Sequence, residues 1–571
     1  MVKQFLLGID AGGTFTDFLC VEVGVQESLR IHKTLSTPAA PEQAILDGIR
    51  SLGLETAIEQ GQVQIVHGST VATNAVLEGK QARTVFVTNR GFADMLQLAR
   101  QTRPGLYALE FPANEPPVAA ELCLETGGRV AADGTTLESL SSEELEELVE
   151  KIRALKPEAV AINLLFSFLD DSFEKSIVAA IEDADLGIYV SRSSKVLPVY
   201  KEYERGIATW LNASLGPVVG GYLSRLQLRL GNCSLQIMQS SGETMAAEKA
   251  AESAVRLLLS GPAGGLAAVK FYGDQTGMNK VISLDMGGTS TDVALLDGAI
   301  STTDEGRIAQ YPVGVSMVDM HTIGAGGGSI AFVDKGGMLQ VGPRSAGAEP
   351  GPACYSRGGF EATVTDANLV LGRLLADVSL AGDLKLDKRA ATTAIEKVAE
   401  QMGLTVEETA LGIVAIADEH MAKAIRLISV NRGYDPQDFI LASFGGAGGL
   451  HVCALADAMG MKKAVVPVHG GVLSALGMVV ADRGRQFSRS LGLRNALTSK
   501  PNPENDHGGG GIGATDAELE SGFADLERQG RHQLAAEGLM ASALHCRRSV
   551  DMRYVGQSYT LNVPWQDRQQ V

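Results

Sequence analysis

Aspartate, paired glycine and threonine recur at one spacing in two distant places, Asp10-Ala-Gly12-Gly13-Thr14-Phe-Thr16-Asp17 and Asp285-Met-Gly287-Gly288-Thr289-Ser-Thr291-Asp292. The chemistry open to such a string is the binding of an anion and a metal. Paired glycines let backbone N–H groups close around an anion, threonine hydroxyls donate to phosphate oxygens, and an aspartate at a strand end holds Mg²⁺ through water. Each copy lies between apolar, β-rich runs: Phe5-Leu-Leu-Gly-Ile9 and Phe18-Leu-Cys-Val21 flank the first, Val281-Ile-Ser-Leu284 and Val293-Ala-Leu-Leu296 the second. The spacing therefore predicts strand, Gly-rich turn, strand, used twice. Two such hairpins facing each other would clamp a polyphosphate. Ordinary tight hairpins would explain the glycines, but not both aspartates and both threonines at fixed offsets.

Further candidates are spread along the chain. Phe444-Gly445-Gly446-Ala-Gly448-Gly-Leu-His451 follows the strand-like Phe439-Ile-Leu-Ala442 and opens a helix, offering an adenine- or ribose-facing ledge as readily as a phosphate site. His67-Gly-Ser-Thr70-Val-Ala-Thr73-Asn74 marks a strand-to-helix junction. There His67 and Asn74 could meet a ligand, and an N-cap cluster with a structural histidine fits the same residues equally well. The run from Asp319 and His321 through Gly324-Ala-Gly326-Gly-Gly-Ser329 is dense enough in glycine to approach a ligand with its backbone, and it lacks the spacing of a dinucleotide fingerprint. Arg100 and Arg103 could neutralise a substrate carboxylate or phosphate, although a solvated surface pair is the better reading on charge alone. A proline- and glycine-rich loop over 341–355 could line a cleft.

The elements that must position these residues belong to a large chain of 571 residues, 45% of them hydrophobic, enough for about three or four domains. We read an N-terminal lobe over 1–191, a main lobe over 192–498, a flexible Pro/Gly linker over 499–514 and a short C-terminal segment over 515–571. That last segment is small for a core of its own, so it is expected to dock against the body or a partner. A net charge of −18 repels nucleic acid and anionic membrane surfaces. The most apolar long window, 464–481, is interrupted by Pro467, His469, Gly470 and Gly471. Neither it nor the N-terminus has the form of a membrane span or signal peptide, so a cytoplasmic location is expected. The six cysteines show no CxxC and read as reduced core thiols.

Taken together, these strings resemble the hydantoinase A/oxoprolinase family: residues 8–17, His67-Gly-Ser-Thr70 with Asn74, Ser260-Gly-Pro-Ala-Gly-Gly265, residues 285–292 and 324–329, Ser345-Ala-Gly-Ala with Pro350-Gly-Pro352, Thr365-Asp-Ala-Asn368, Phe444 to Gly448 with His451, and Asp551-Met-Arg-Tyr-Val-Gly-Gln-Ser-Tyr559. Gly449 stands where the family usually has proline, and Phe173-Glu174 where it usually has His-Glu. The resemblance implies an α/β fold of the actin/Hsp70/sugar-kinase type, with two duplicated lobes around a nucleotide cleft and a small C-terminal α+β segment. It implies ATP with Mg²⁺ or Mn²⁺, and phosphorylation of a cyclic amide or imide carbonyl for ring opening. A hydantoinase B-type partner subunit would complete the reaction in a hetero-oligomer, in keeping with the lack of any HExxH, GxSxG or paired-cysteine motif here. On this reading Asp10 and Asp285 take the metal, and Gly12, Gly13, Thr14, Thr16, Gly287, Gly288, Thr289 and Thr291 take the phosphates. Gly445, Gly446 and Gly448 take the adenosine. His67, Asp319 and His321 are catalytic candidates, and Asn74, Arg100 and Arg103 face the substrate. The alternatives are the ATPase subunit of an acetone- or acetophenone-type ketone carboxylase and an actin- or Hsp70-like nucleotide switch.

Overall fold

A computed structural model describes residues 4–25, 27–37, 40–102, 115–377, 384–491, 514–554, 557 and 560–565. The first repeat forms the antiparallel hairpin β1 (Phe5–Ala11) and β2 (Phe15–Glu22), with Asp10 opposite Asp17. Leu7, Ile9, Phe18 and Leu19 are fully buried. At roughly 1.5–3 kcal/mol for each large apolar side chain, their burial fixes the register that leaves the aspartates at the tip. β3 (Arg30–Leu35) joins β2 antiparallel, and β4 (Val63–Ser69) joins β1 parallel before leading into α1 (Val71–Leu77).

The chain next builds a separate parallel sheet from β5 (Thr84–Asn89), β6 (Cys123–Thr126), β7 (Ala159–Asn163) and β8 (Tyr189–Arg192), ordered β8-β7-β5-β6. The long helix α2 (Glu202–Leu230) packs on β7. Its fully buried Arg205 is bonded to Asn163, Ser193 and the carbonyls of Leu164 and Val199, so this internal cation is satisfied. β9 (Ser234–Met238) and β10 (Thr244–Ala246) then complete the first sheet in the order β10-β9-β4-β1-β2-β3.

The second half repeats the plan. After α3 (Ser260–Thr276), β11 (Lys280–Met286) and β12 (Thr291–Asp297) form an antiparallel hairpin with Asp285 opposite Asp292. β13 (Met320–Ile323) joins β12 antiparallel, β14 (Ile440–Phe444) joins β11 parallel, and β15 (Ala464–Val465) joins β14 parallel. The order β13-β12-β11-β14-β15 thus reproduces β3-β2-β1-β4-β9, directions included. The two lobes share one duplicated α/β plan, with the hairpin string repeated in each as predicted. α4 (Val364–Val370) and α5 (Val406–Ile428) pack with the second lobe's core, and α6 (Val452–Ala458) follows the third glycine turn. α7 (Leu473–Val480) crosses to β1, while α3 packs on β11 and β12. The two helices meet where a Cβ on Gly477 would lie 1.7 Å from the Gly264 carbonyl oxygen, an approach only glycine permits.

The C-terminal segment contains α8 (Asp516–Ala536), capped by Thr515 and Glu518, and the ribbon β16 (Ser549–Met552) with β17 (Leu561–Pro564). It rests on the body. Arg485 pairs with Glu537, Arg489 pairs with Asp525 at 3.0 Å, and the Arg553 guanidinium stacks 4.3 Å from the Tyr200 ring centre. Residues 499–513 of the expected linker lie outside the described residues, as do Arg103 and Val555, Gly556, Ser558 and Tyr559 of the last motif. Among the described residues no helix is long and apolar enough to cross a membrane.

Candidate nucleotide site

β1 and β11 deliver Asp10 and Asp285 to the two hairpin ends, and the register places Asp17 and Asp292 beside them. Burial, with Asp17 adding repulsion and Lys33 opposing, pushes the Asp10 carboxyl up to about 7. Burial, then Asp292, Asp10 and Asp17, pushes Asp285 up to about 8. Burial raises Asp292 to about 6 against its bond from Thr322, and raises Asp17 against Lys33. Since Asp10 and Asp17 both act on Asp285, the two hairpin ends stand within electrostatic reach of one another. Carboxylates this reluctant to ionise gain from a cation. Among the described residues no three His, Cys, Asp or Glu side chains form a ready-made metal cage. The donor set fits Mg²⁺ all the same, because that ion keeps its waters and takes one or two carboxylates plus phosphate oxygens.

The two tips are built alike. Gly12 donates to the Phe15 carbonyl and Gly287 to the Ser290 carbonyl, each at 3.0 Å. Those two N–H groups therefore close the turns and are not available to a phosphate, contrary to the expectation. Gly13 and Gly288 face open space, with nothing within 4 Å of a Cβ built on either. The threonines divide in the same way. Thr14 and Thr289 sit at the tips, and among the described residues their hydroxyls have no protein partner. Thr16 and Thr291, expected to face phosphate, are buried: Thr16 bonds the Ser36 hydroxyl at 3.0 Å and Thr291 donates to the Ala325 carbonyl at 2.5 Å. They lie opposite Ala11 and Met286, where the pleat turns them inward.

The 324–329 loop approaches the second hairpin. Gly327 and Gly328 donate to the Gly287 and Gly288 carbonyls at 3.0 and 2.6 Å, and a Cβ on Gly326 would lie 2.8 Å from the Gly288 carbonyl carbon. The loop is a brace. Asp366 is likewise internal, accepting from the N–H groups of Cys354 and Thr363 and so pinning the 350–355 loop. In the third turn Gly445 has φ +80°, and a Cβ there would lie 2.4 Å from Asp285 Oδ1. The turn expected to hold adenosine is thereby seated directly on the second-lobe aspartate, with Gly446 left open and Gly448 pressed onto Ser443.

The weaker candidates lie elsewhere. His67 is wholly buried, bonded to the Ile9 carbonyl at 3.2 Å and Tyr222 at 2.7 Å, and burial lowers it to about 4. It stays neutral and braces the Asp10 strand from beneath, so it cannot touch a substrate as expected. Asn74 bonds Thr70, whose hydroxyl donates to the Ala11 carbonyl. Asp319 is held by Arg432. His321 is half-buried beside it on β13, its imidazole pushed below its usual value by burial and by Arg432. Arg100 is exposed and paired with Glu204, the surface pair that charge alone favoured. Three residues that matter were not anticipated: Lys33, Ser36 and Thr322. Lys33 stands opposite Asp17 through the register of β3 on β2, which no sequence pattern fixes.

Residues 6–184 match the hydantoinase/oxoprolinase N-terminal region, and residues 205–486 match the hydantoinase/oxoprolinase model that follows it. The chain is 34% identical to caprolactamase subunit alpha of Pseudomonas jessenii over 98% of this chain and 80% of that one. It belongs to the hydantoinase/oxoprolinase family. Two solved structures share the fold of this hydantoinase/oxoprolinase chain. The ATP-dependent caprolactamase from Pseudomonas jessenii superposes with a TM-score of 0.83 at 33% identity, covering 99% of this chain and 82% of that one. A nucleotide-free acetone carboxylase, from work on ATP-dependent acetone carboxylation, gives 0.75 at 25% identity, covering 99% and 81%.

Proposed function

We propose that this chain is the ATP-dependent subunit that activates the carbonyl of a cyclic amide or imide, of hydantoin, 5-oxoproline or lactam type, for ring-opening hydrolysis. The observation that carries the proposal is the pair of equivalent aspartate hairpins, open at Gly13 and Gly288, whose carboxylates act on one another. Asp10 and Asp285 would hold Mg²⁺ through its waters, Thr14 and Thr289 with the Gly13 and Gly288 N–H groups would line the phosphates, and the 445–448 turn would offer its backbone to the adenosine. When bound, MgATP would supply the phosphoryl group that, carried on the carbonyl oxygen, makes the amide carbon electrophilic enough for water to add and the ring C–N bond to break. The chain's own contribution is placement: the braced hairpins fix the carboxylates, and the closely packed α3 and α7 fix one hairpin relative to the other. That caprolactamase is named by subunit supports a partner polypeptide for this chain, which we read as hydantoinase B-like.

A second reading is favoured by the acetone carboxylase likeness: the same activation applied to a ketone, with bicarbonate as the second substrate. ATPase assays against lactams, hydantoins and ketones, with and without bicarbonate and a co-purified partner, test both. Stimulation by a lactam or hydantoin without bicarbonate, with ring-opened product only when the partner is present, is expected. Bicarbonate-dependent stimulation by a ketone would move the assignment to the carboxylase reading. Full turnover by the purified chain alone would sink the partner requirement.

A further inference from the structure

The duplicated sheets make every position of one lobe comparable with its counterpart, and at one point beside the carboxylates the chemistry differs. The third strand of each sheet reaches back to the second aspartate of its hairpin. In the first lobe Lys33, opposite Asp17, puts its Nζ 2.5 Å from Asp17 Oδ1; in the second lobe Thr322, opposite Asp292, puts its hydroxyl 2.5 Å from Asp292 Oδ1. The geometry is shared, and only the first lobe carries a cation there. The Lys33 amine also donates to the Gly471 carbonyl at 3.3 Å, on the turn into α7, and lies 5.1 Å from the Phe15 ring centre. It is thus held at the tip of the first hairpin.

We propose that Lys33 reads the terminal phosphate of the nucleotide, giving the site its preference for a triphosphate over a diphosphate. This rests on the nucleotide reading above. An ammonium group has three donors. Two are spent on Asp17 and Gly471, and the third has no protein partner among the described residues. The side chain keeps 28% of its surface and its bond to Gly471 lies at the exposed side, so the group is not sealed off. A triphosphate brings more negative charge than a diphosphate into a site already holding Asp10, Asp17, Asp285 and Asp292, and the charge of Lys33 is felt by aspartates of both lobes. A compact cation anchored by two bonds can lend its third donor to a phosphate oxygen without giving up its place.

Calorimetry with Mg²⁺ and either ADP or the β,γ-imido analogue of ATP tests this in wild type, Lys33→Met, Lys33→Gln and Lys33→Arg. For the Met and Gln variants, affinity for the imido analogue should fall roughly 10- to 100-fold while that for ADP changes less than about 3-fold. Lys33→Arg should restore most of the difference. Equal weakening of both nucleotides would make Lys33 a structural support of the hairpin, and unchanged affinity for both would remove it from the site; either result overturns the proposal. Binding of neither nucleotide by wild type would overturn the nucleotide reading first.

Discussion

Replacing Asp10 with asparagine should make the empty protein more stable above neutral pH and remove its response to magnesium nucleotide. Burial carries this carboxyl from 3.8 to about 7. At about 1.4 kcal/mol for each pKa unit, keeping it ionised at high pH costs the folded state at most about 4 kcal/mol. Asp10 keeps some contact with solvent, which brings the effect to on the order of 2 kcal/mol. The sign follows from the raised value: between about pH 4 and about pH 7 the folded protein holds more proton than the unfolded chain. Its stability is therefore fully present below the unfolded value and declines as pH rises through the folded one. Asparagine does not titrate, so the advantage of Asp10→Asn should grow with pH. The assay is chemical denaturation in EDTA from about pH 4.5 to about pH 8.5, repeated with Mg²⁺ and ADP. An advantage that stayed constant or shrank with pH would refute the burial argument. A variant still stabilised by Mg²⁺ and ADP as strongly as wild type would refute the metal role.

The two kinds of threonine should separate. Thr14→Ala should weaken Mg²⁺-ADP binding roughly 5- to 10-fold at unchanged stability, whereas Thr16→Ala should cost about 1 kcal/mol of stability with affinity nearly intact; calorimetry and denaturation with the roles reversed would overturn the division. The Arg485–Glu537 pair is almost sealed, with side chains 7% and 9% exposed. Arg485→Ala strands a buried carboxylate at about 3–5 kcal/mol, so it should loosen the C-terminal segment to limited proteolysis and weaken partner association while leaving Mg²⁺-ADP affinity unchanged. Lost nucleotide affinity with partner binding intact would show that the roles of body and tail are the wrong way round.

The repeat made the hairpins legible, because the same residues at the same offsets between apolar runs point to the same local structure, while the duplicated fold was implied by the family resemblance. What it could not convey was which way each member of the repeat points. Thr14 and Thr16 are equivalent as letters, and only the pairing of Thr16 with Ala11 turns one of them into the core. The 324–329 glycines suggested a ligand because glycine signals close approach, yet the body approached is the chain's own second hairpin. His67 presented the same ambiguity, and complete burial against Tyr222 resolves it. Lys33 escaped notice for the opposite reason: a lone lysine in a mixed strand carries no signature until the register sets it against an aspartate.

The repeat is a frame on which the two lobes have diverged, and the differences lie next to the shared aspartates. The strand register makes Ser443 the counterpart of His67, one step before the residue paired with the hairpin aspartate. His67 is satisfied by Ile9 and Tyr222, which stiffens β4 behind Asp10. Ser443 is buried with no protein partner for its hydroxyl among the described residues, and Gly448 of the third glycine turn presses against it. A larger residue at 443 would push that turn off Asp285, so the small side chain is what lets the second lobe bring a glycine turn onto its hairpin aspartate. With Lys33 in the first lobe and Thr322 in the second, the division is chemically coherent. On the proposed reading, the first lobe sets an ammonium group beside its aspartate pair for the terminal phosphate, and the second sets a hydroxyl and a glycine turn beside its own for the nucleoside.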